Sequence, residues 1–290
     1  MTFSRVNPAV SALYFLSVLL PAMFLHHPLI SFPALLGAGA FLAASGFESR
    51  GTPRLLVLLF LLITVTNPFF SHNGATVWFY INGNAVTAEA LFCGGGTALM
   101  IVSVLLWCRA LSEVITGDKI VYLAGKTVPQ TAVVLAAAMR YIPLLRRQAA
   151  AIGQAQKAMG IYTSDSYTDR VKASLRIFSA LVGWSLEHAV ETGKSMKARG
   201  GGAKRPTSYS LYRFSARDVP VLAVTLLLTA VVLAAAFSGS FDFSYYPIFR
   251  LSAFTPMAVF GYLAFAGLAF LPAVLEVTER VQWHYYKSKI

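Results

Sequence analysis

The sequence predicts an all-α integral membrane protein of about six transmembrane helices with a cytoplasmic domain of two long helices. Three observations predict it. Of the 290 residues, 57% are hydrophobic and only 12% charged, with a mean hydropathy of +0.63, whereas about a quarter of the residues in a soluble domain are charged. Uncharged runs recur at 6–47, 55–88, 90–108, 219–241 and 251–275, and a helical span needs about 20 apolar residues. Between 113 and 217 the character changes: this stretch holds sixteen of the 24 Lys and Arg against six Asp and Glu, and so +10 of the formal +12.

The first run is long enough for two spans. His26-His27-Pro28 supplies a polar break and a helix-stopping proline, which predicts spans near 9–25 and 29–47 joined by a tight hairpin. Four more follow near 55–71, 89–111, 219–238 and 254–275. An even count puts both termini on one side, and the positive-inside rule makes that side cytoplasmic. Arg5, Arg50, Arg54, the 113–217 stretch, Arg280, Lys287 and Lys289 all fall there, while the opposite loops hold Arg250 alone. The chain thus divides into N-terminal transmembrane helices (1–112), a cytoplasmic domain (113–217) and C-terminal transmembrane helices with a tail (218–290).

No cleavable signal peptide is expected, because the first apolar run continues directly into a second span. Cys93 and Cys108 share the fourth span and read as small packing residues. Gly37-Ala38-Gly39-Ala40 and Gly94-Gly95-Gly96 permit close helix approach.

The basic stretch is not a disordered tail. Residues 129–157 and 167–199 are rich in helix formers, the first opening on Pro129 and staying apolar through Leu145. Thr163 to Ser166 supply capping side chains for the second helix, and Gly200-Gly201-Gly202 must break it. The concentrated positive charge suits the anionic headgroups of membrane lipid or an acidic protein, and a nucleic-acid partner is not expected. Each helix closes on the same pattern: Lys157-Ala158-Met159-Gly160 and Lys197-Ala198-Arg199-Gly200. Cations suit a helix C-terminus, and glycine takes the left-handed position that ends it.

Ala198-Arg199-Gly200 matches a coupling motif as it stands, and Ala158-Met159-Gly160 keeps its alanine and glycine but has Met in place of Arg. With Arg140-Tyr141-Ile142-Pro143 entering the coupling helices, Asn7-Pro8 before the first span and Asn67-Pro68-Phe69-Phe70, this order of parts resembles the energy-coupling factor (ECF) transporter transmembrane T component family, EcfT/CbiQ, over roughly residues 6–238. The resemblance implies a multi-pass subunit of a prokaryotic cell membrane importer of the ATP-binding-cassette type, for a vitamin or a transition-metal ion. It implies two cytosolic ATPase subunits of EcfA type, which hold the ATP and Mg, and a membrane-embedded substrate-binding S component. It implies two long helices that cross near their ends, ATPase contacts at Lys157 to Gly160 and Lys197 to Gly200, and no cofactor bound by this chain itself.

The residues offer little to competing functions. Gly193-Lys194-Ser195 lacks the earlier glycine of a phosphate loop, since His188 stands there. His26, His27, His72, His188 and His284 are scattered, which predicts solvated or interfacial histidines and no metal set. Glu89, Glu276 and Glu279 lie at span ends, so a self-contained secondary transporter, the alternative reading, lacks the intramembrane polar groups it needs. An intramembrane enzyme lacks a convergent set of catalytic groups.

Overall fold

The computed structural model describes residues 3, 6–46, 52–71, 74, 76–81, 84–160, 166–201, 212, 214–246, 250–251 and 255–287. In chain order the elements are α1 (Pro8–Phe24), α2 (Pro28–Ser45), α3 (Thr52–Phe70), β1 (Val77–Ile81), β2 (Asn84–Thr87), α4 (Ala88–Val114), α5 (Gly117–Thr127), α6 (Pro129–Ala158), α7 (Tyr167–Ala198), α8 (Asp218–Phe237), β3 (Phe243–Ser244), β4 (Arg250–Leu251) and α9 (Pro256–Lys287). They form two compact units, Met1–Thr116 with Arg213–Ile290, and Gly117–Tyr212.

In the first unit α2 packs between α4 and α9, α8 lies on α9, and α1 packs against α4 and α8. The other large contact of α4 is with α3. By length and composition α2, α4, α8 and α9 can each cross a membrane, and α1 and the 54–70 part of α3 are shorter apolar helices. Two antiparallel hairpins, β1 with β2 and β3 with β4, join helices where loops were expected.

Local chemistry sets the helix ends. Asn7 caps α1 by accepting from the Ala9 N–H at 3.0 Å, and Pro8 takes the first helical position, where a missing N–H costs nothing. Thr87 caps α4. Glu89 in the first turn of α4 accepts from the Thr76 N–H at 3.2 Å, where the helix dipole favours an anion.

The core of this unit is aromatic. Phe3, Tyr14, Phe15, Phe41 and Trp107 meet edge to face with centroids 5.1 to 6.1 Å apart. The two polar rings are satisfied by backbone: Trp107 donates from Nε1 to the Ala34 carbonyl at 2.9 Å, and the Tyr14 hydroxyl donates to the Leu268 carbonyl at 2.8 Å. Gly37 lets α2 meet α9 at backbone distance, since a Cβ there would sit 2.6 Å from the Ala269 oxygen. Gly94 does the same for α4 against Thr64 and Asn67 of α3.

Several expectations need correction. α9 continues as one helix to Lys287, past the end of the span expected near 275. The charges that end its apolar run do not end the helix, because Glu276 is buried and accepts from the Phe3 N–H at 3.2 Å. His27 is not solvated. It is 2% exposed and caps α2 by accepting at Nδ1 from the Leu29 N–H at 3.1 Å. That leaves Nε2 to carry the proton toward the Tyr262 hydroxyl at 2.9 Å. Cys108 is exposed on the outside of the unit and does not pack within it. Arg5, Arg50, His72, the 163–165 turn, Lys204, Arg205, Arg213, Gly202 and Lys289 lie outside the described residues.

Two outcomes follow from this packing. Gly37→Val is expected to cost about 1 to 3 kcal/mol by forcing α2 off α9, whereas Gly39→Val, with open space around its Cβ position, leaves the unfolding midpoint in detergent unchanged. Burial lowers the pKa of His27 below its usual value of 6.5. The folded state therefore favours the neutral ring, and its contribution is complete above about pH 6.5 and declines as pH falls below that value. His27→Asn keeps an N-cap acceptor without titrating, so its unfolding midpoint should vary less between pH 7 and pH 5 than that of the wild type.

Candidate functional site

The second unit is built on α6 and α7, with α5 packed against α6. Its helices form for local reasons. Pro129 opens α6 after extended Val128, which offers no side-chain cap. Ser166 precedes α7 but does not cap it with its side chain, whose hydroxyl lies 2.9 Å from that of Thr168. Lys119 of α5 is buried, and loss of water lowers its pKa.

Side-chain contacts fix how α6 and α7 pair. Ile177 Cδ1 lies 3.5 Å from the Cβ position of Gly153. Twelve residues back along α6, the Tyr141 hydroxyl donates to Thr192 Oγ1 at 2.9 Å, and its ring meets His188 edge-on at 5.7 Å. His188 in turn stacks on Trp184 at 5.0 Å. Moving back along α6 thus moves forward along α7, so the two helices pair in opposite senses. These contacts reach toward both C-termini, Gly153 standing five residues before the end of α6 and Thr192 six before the end of α7. The C-termini therefore point to opposite ends of the pair, about 40 Å apart along the axis at about 1.5 Å per residue.

Those two C-termini share one geometry. Met159 (φ −79°, ψ 3°) and Arg199 (φ −86°, ψ 9°) are the equivalent capping residues. Gly160 and Gly200 follow at φ +74° and +84°, the left-handed region that excludes most other residues. The Gly160 N–H donates to the Lys157 carbonyl and the Gly200 N–H to the Lys197 carbonyl, each at 3.0 Å. At the second end the Gly201 N–H also reaches the Met196 carbonyl at 2.8 Å, completing a Schellman motif. Nothing lies within 4 Å of a Cβ at either Gly160 or Gly200. Backbone conformation, not crowding, requires glycine at both.

Lys157, Ala158, Gly160, Lys197, Ala198, Arg199 and Gly200 are all exposed, and Met159 is 68% exposed. Arg140 and Pro143 are exposed in the interior of α6, not where it begins. Pro143 withholds the N–H that would have bonded the Met139 carbonyl. Gly193-Lys194-Ser195 lies within α7, and no group of three or more His, Cys, Asp or Glu among the described residues is placed to hold a metal ion.

The sequence reading missed an apolar stripe. Val171, Leu175, Phe178, Val182 and Leu186 recur at helical spacing and are exposed on the side of α7 away from the seam with α6. The i, i+4, i+7 spacing carried that signal, alongside the buried or half-buried set Ala173, Ile177, Leu181 and Trp184 that faces α6. On α6 itself, Val133, Val134, Met139 and Ile142 are also exposed.

Comparison with known proteins places these features in a family. Residues 6–209 match the CbiQ family, described as cobalt transport protein. A curated relative from Bacillus selenitireducens, the energy-coupling factor transporter transmembrane protein EcfT, is 27% identical over 228 residues, covering 73% of this chain and 84% of that one. The protein of the same name from Brevibacillus brevis is 30% identical over 190 residues, covering 61% and 71%. That from Listeria innocua is 24% identical over 212 residues, covering 60% and 79%.

The shared cap geometry predicts equal sensitivity at the two ends. Gly160→Ala and Gly200→Ala should each cost about 1 to 2 kcal/mol in the last helical turn, the penalty of a side chain at left-handed φ, read as faster amide hydrogen exchange over 155–160 and 195–201.

Proposed function

The chain belongs to the CbiQ family of cobalt transport proteins, and from that premise we propose that it is the transmembrane coupling subunit of an energy-coupling factor importer. It is a multi-pass membrane protein. In this reading six helices, α1 to α4, α8 and α9, span the membrane with both termini in the cytoplasm, and residues 113–217 form the coupling domain. Two cytosolic ATPases of EcfA type, which hold the ATP and Mg, dock on the ends of α6 and α7. A membrane-embedded S component binds the micronutrient, a vitamin or a transition-metal ion. The chain itself hydrolyses nothing.

The observation that carries this reading is the pair of exposed helix ends with closely similar backbone caps, projecting in opposite senses from one antiparallel pair. Two stiff helices that can pivot where they meet, each with a docking foot at its end, suit a subunit that must follow the closure of two ATPase domains. Arg199 is the principal anchor, because a planar and permanently charged guanidinium can bind a carboxylate through two hydrogen bonds. Met159 contributes adaptable apolar contact. Closure of the ATPase pair on ATP moves the two feet, and the stiff helices carry that displacement to the membrane. The S component docks on the apolar side of α6 between Val133 and Leu145, and membrane lipid covers the rest of the apolar surface.

Arg199→Ala tests the reading. In a complex purified with its ATPases and S component, the substitution should weaken ATPase retention at least tenfold, in line with the about 2 to 5 kcal/mol lost when one partner of a buried charge pair is truncated. Unchanged retention would exclude Arg199 as the anchor. Failure of the wild type to retain any ATPase, with transport intact, would favour a self-contained transporter.

A further inference from the structure

The first twenty residues of α9, Pro256 to Leu275, carry no charge and match the about 20 residues that a span needs. The helix nevertheless continues for twelve more, to Lys287. The root of this extension is fixed in the bundle. Glu276 accepts from the Phe3 N–H, and Arg280 Nη2 lies 3.1 Å from the Cβ position of Gly46, the residue that caps α2. Arg280 is therefore level with the end of α2. At about 1.5 Å per residue, Trp283, Tyr285 and Tyr286 stand about 5 to 9 Å beyond it, at the depth of the headgroup layer that borders the hydrocarbon core.

Two sides of the extension differ in chemistry. Phe260, Leu263, Val274, Val277, Val281 and Tyr285 are exposed and fall on one face at helical spacing. This stripe runs from the span past Glu276 without a break. A helix end standing in water gains nothing from such a stripe, whereas the part of it within the span already faces lipid. Arg280, Trp283 and Lys287, spaced i, i+3 and i+7, form the other side, and all three are exposed. No acid follows Glu279, while Arg280, Lys287 and Lys289 do. Trp and Tyr concentrate at membrane interfaces, and an apolar face opposite a basic one is the pattern of a helix that lies there.

We infer that residues 276–287 of α9 form a docking site for anionic phospholipid of the cytoplasmic leaflet. Val277, Val281 and Tyr285 lie on its acyl chains, and Arg280 and Lys287 bind its phosphate groups beside Trp283. The inference rests on the topology proposed above, in which α9 ends in the cytoplasm, and not on where the ATPases dock. Through Glu276 and Phe3, lipid held at this site also fixes the depth of the N-terminal segment.

The test puts the photo-crosslinker benzoylphenylalanine at position 282, exposed in the same turns, in the full chain co-expressed with its ATPases and S component. The purified protein is reconstituted in vesicles of equal parts phosphatidylglycerol and phosphatidylcholine, and the adducts are identified by mass spectrometry. Phosphatidylglycerol adducts should exceed phosphatidylcholine adducts at least about fivefold, the effect of one basic residue at an anionic surface. Arg280→Gln with Lys287→Gln should bring the two to parity, and Lys287→Gln alone, which spares the contact of Arg280 with α2, should lower the excess partway. Adducts in the proportions of the bilayer would overturn the inference. So would crosslinks to an ATPase or the S component in place of lipid, or an undiminished excess in both variants. Cleavage of the tail by protease applied outside intact cells would instead overturn the topology, and the inference with it.

Discussion

Helices in lipid gain little from hiding apolar surface from one another, since the solvent they leave is as apolar as the interior they enter. Close backbone approach has to replace that driving force, and the membrane unit depends on it. Gly37 brings α2 onto the backbone of Ala269, and Gly94 brings α4 onto Thr64 and Asn67. Once α2 is seated, the Trp107 indole can reach the Ala34 carbonyl, and the Tyr14 hydroxyl spans to Leu268 of α9. Each of these bonds satisfies a donor that would otherwise stand unpaired in a medium without water, so the aromatic core is fixed in orientation as well as in place.

The same economy governs the polar groups at the ends of this unit. Glu276 and Asp218 are buried, yet each carboxylate accepts from backbone N–H groups: Glu276 from Phe3, and Asp218 from Ser215 and Asn7. The N-terminal segment is thereby tied to α8 and α9. In the other unit the demands are reversed. There α6 and α7 hold together through a polar and aromatic seam, Tyr141, Trp184, His188 and Thr192. Both helices end sharply, each at a left-handed glycine.

What the sequence made legible was local. Apolar run length and proline placed α1, α2, α4 and α8 within a few residues, and the glycine-terminated patterns placed the ends of α6 and α7, because capping chemistry is written in neighbouring residues. What it concealed was long-range. Nothing near Glu276 announces that the Phe3 N–H will donate to it across 273 residues. Nothing near His27 announces Tyr262, 235 residues away, so a buried cap read as a solvated or interfacial histidine. The pairing of α6 and α7 depends on Tyr141 meeting Thr192, a contact that composition cannot reveal. The stripe on α7 was present in the spacing, but which of its two apolar faces would remain exposed was decided by α6.

The central claim is that α6 and α7 are stiff levers that pivot where they meet and whose two ends follow the ATPases. The most direct measurement is the distance between spin labels placed at the exposed positions 157 and 197 in the assembled transporter, by pulsed electron paramagnetic resonance, without nucleotide and with ATP under conditions that block hydrolysis. The account predicts a shorter distance with ATP, as closing ATPases draw the two ends together. An unchanged distance in a complex whose ATPases have demonstrably closed would contradict it.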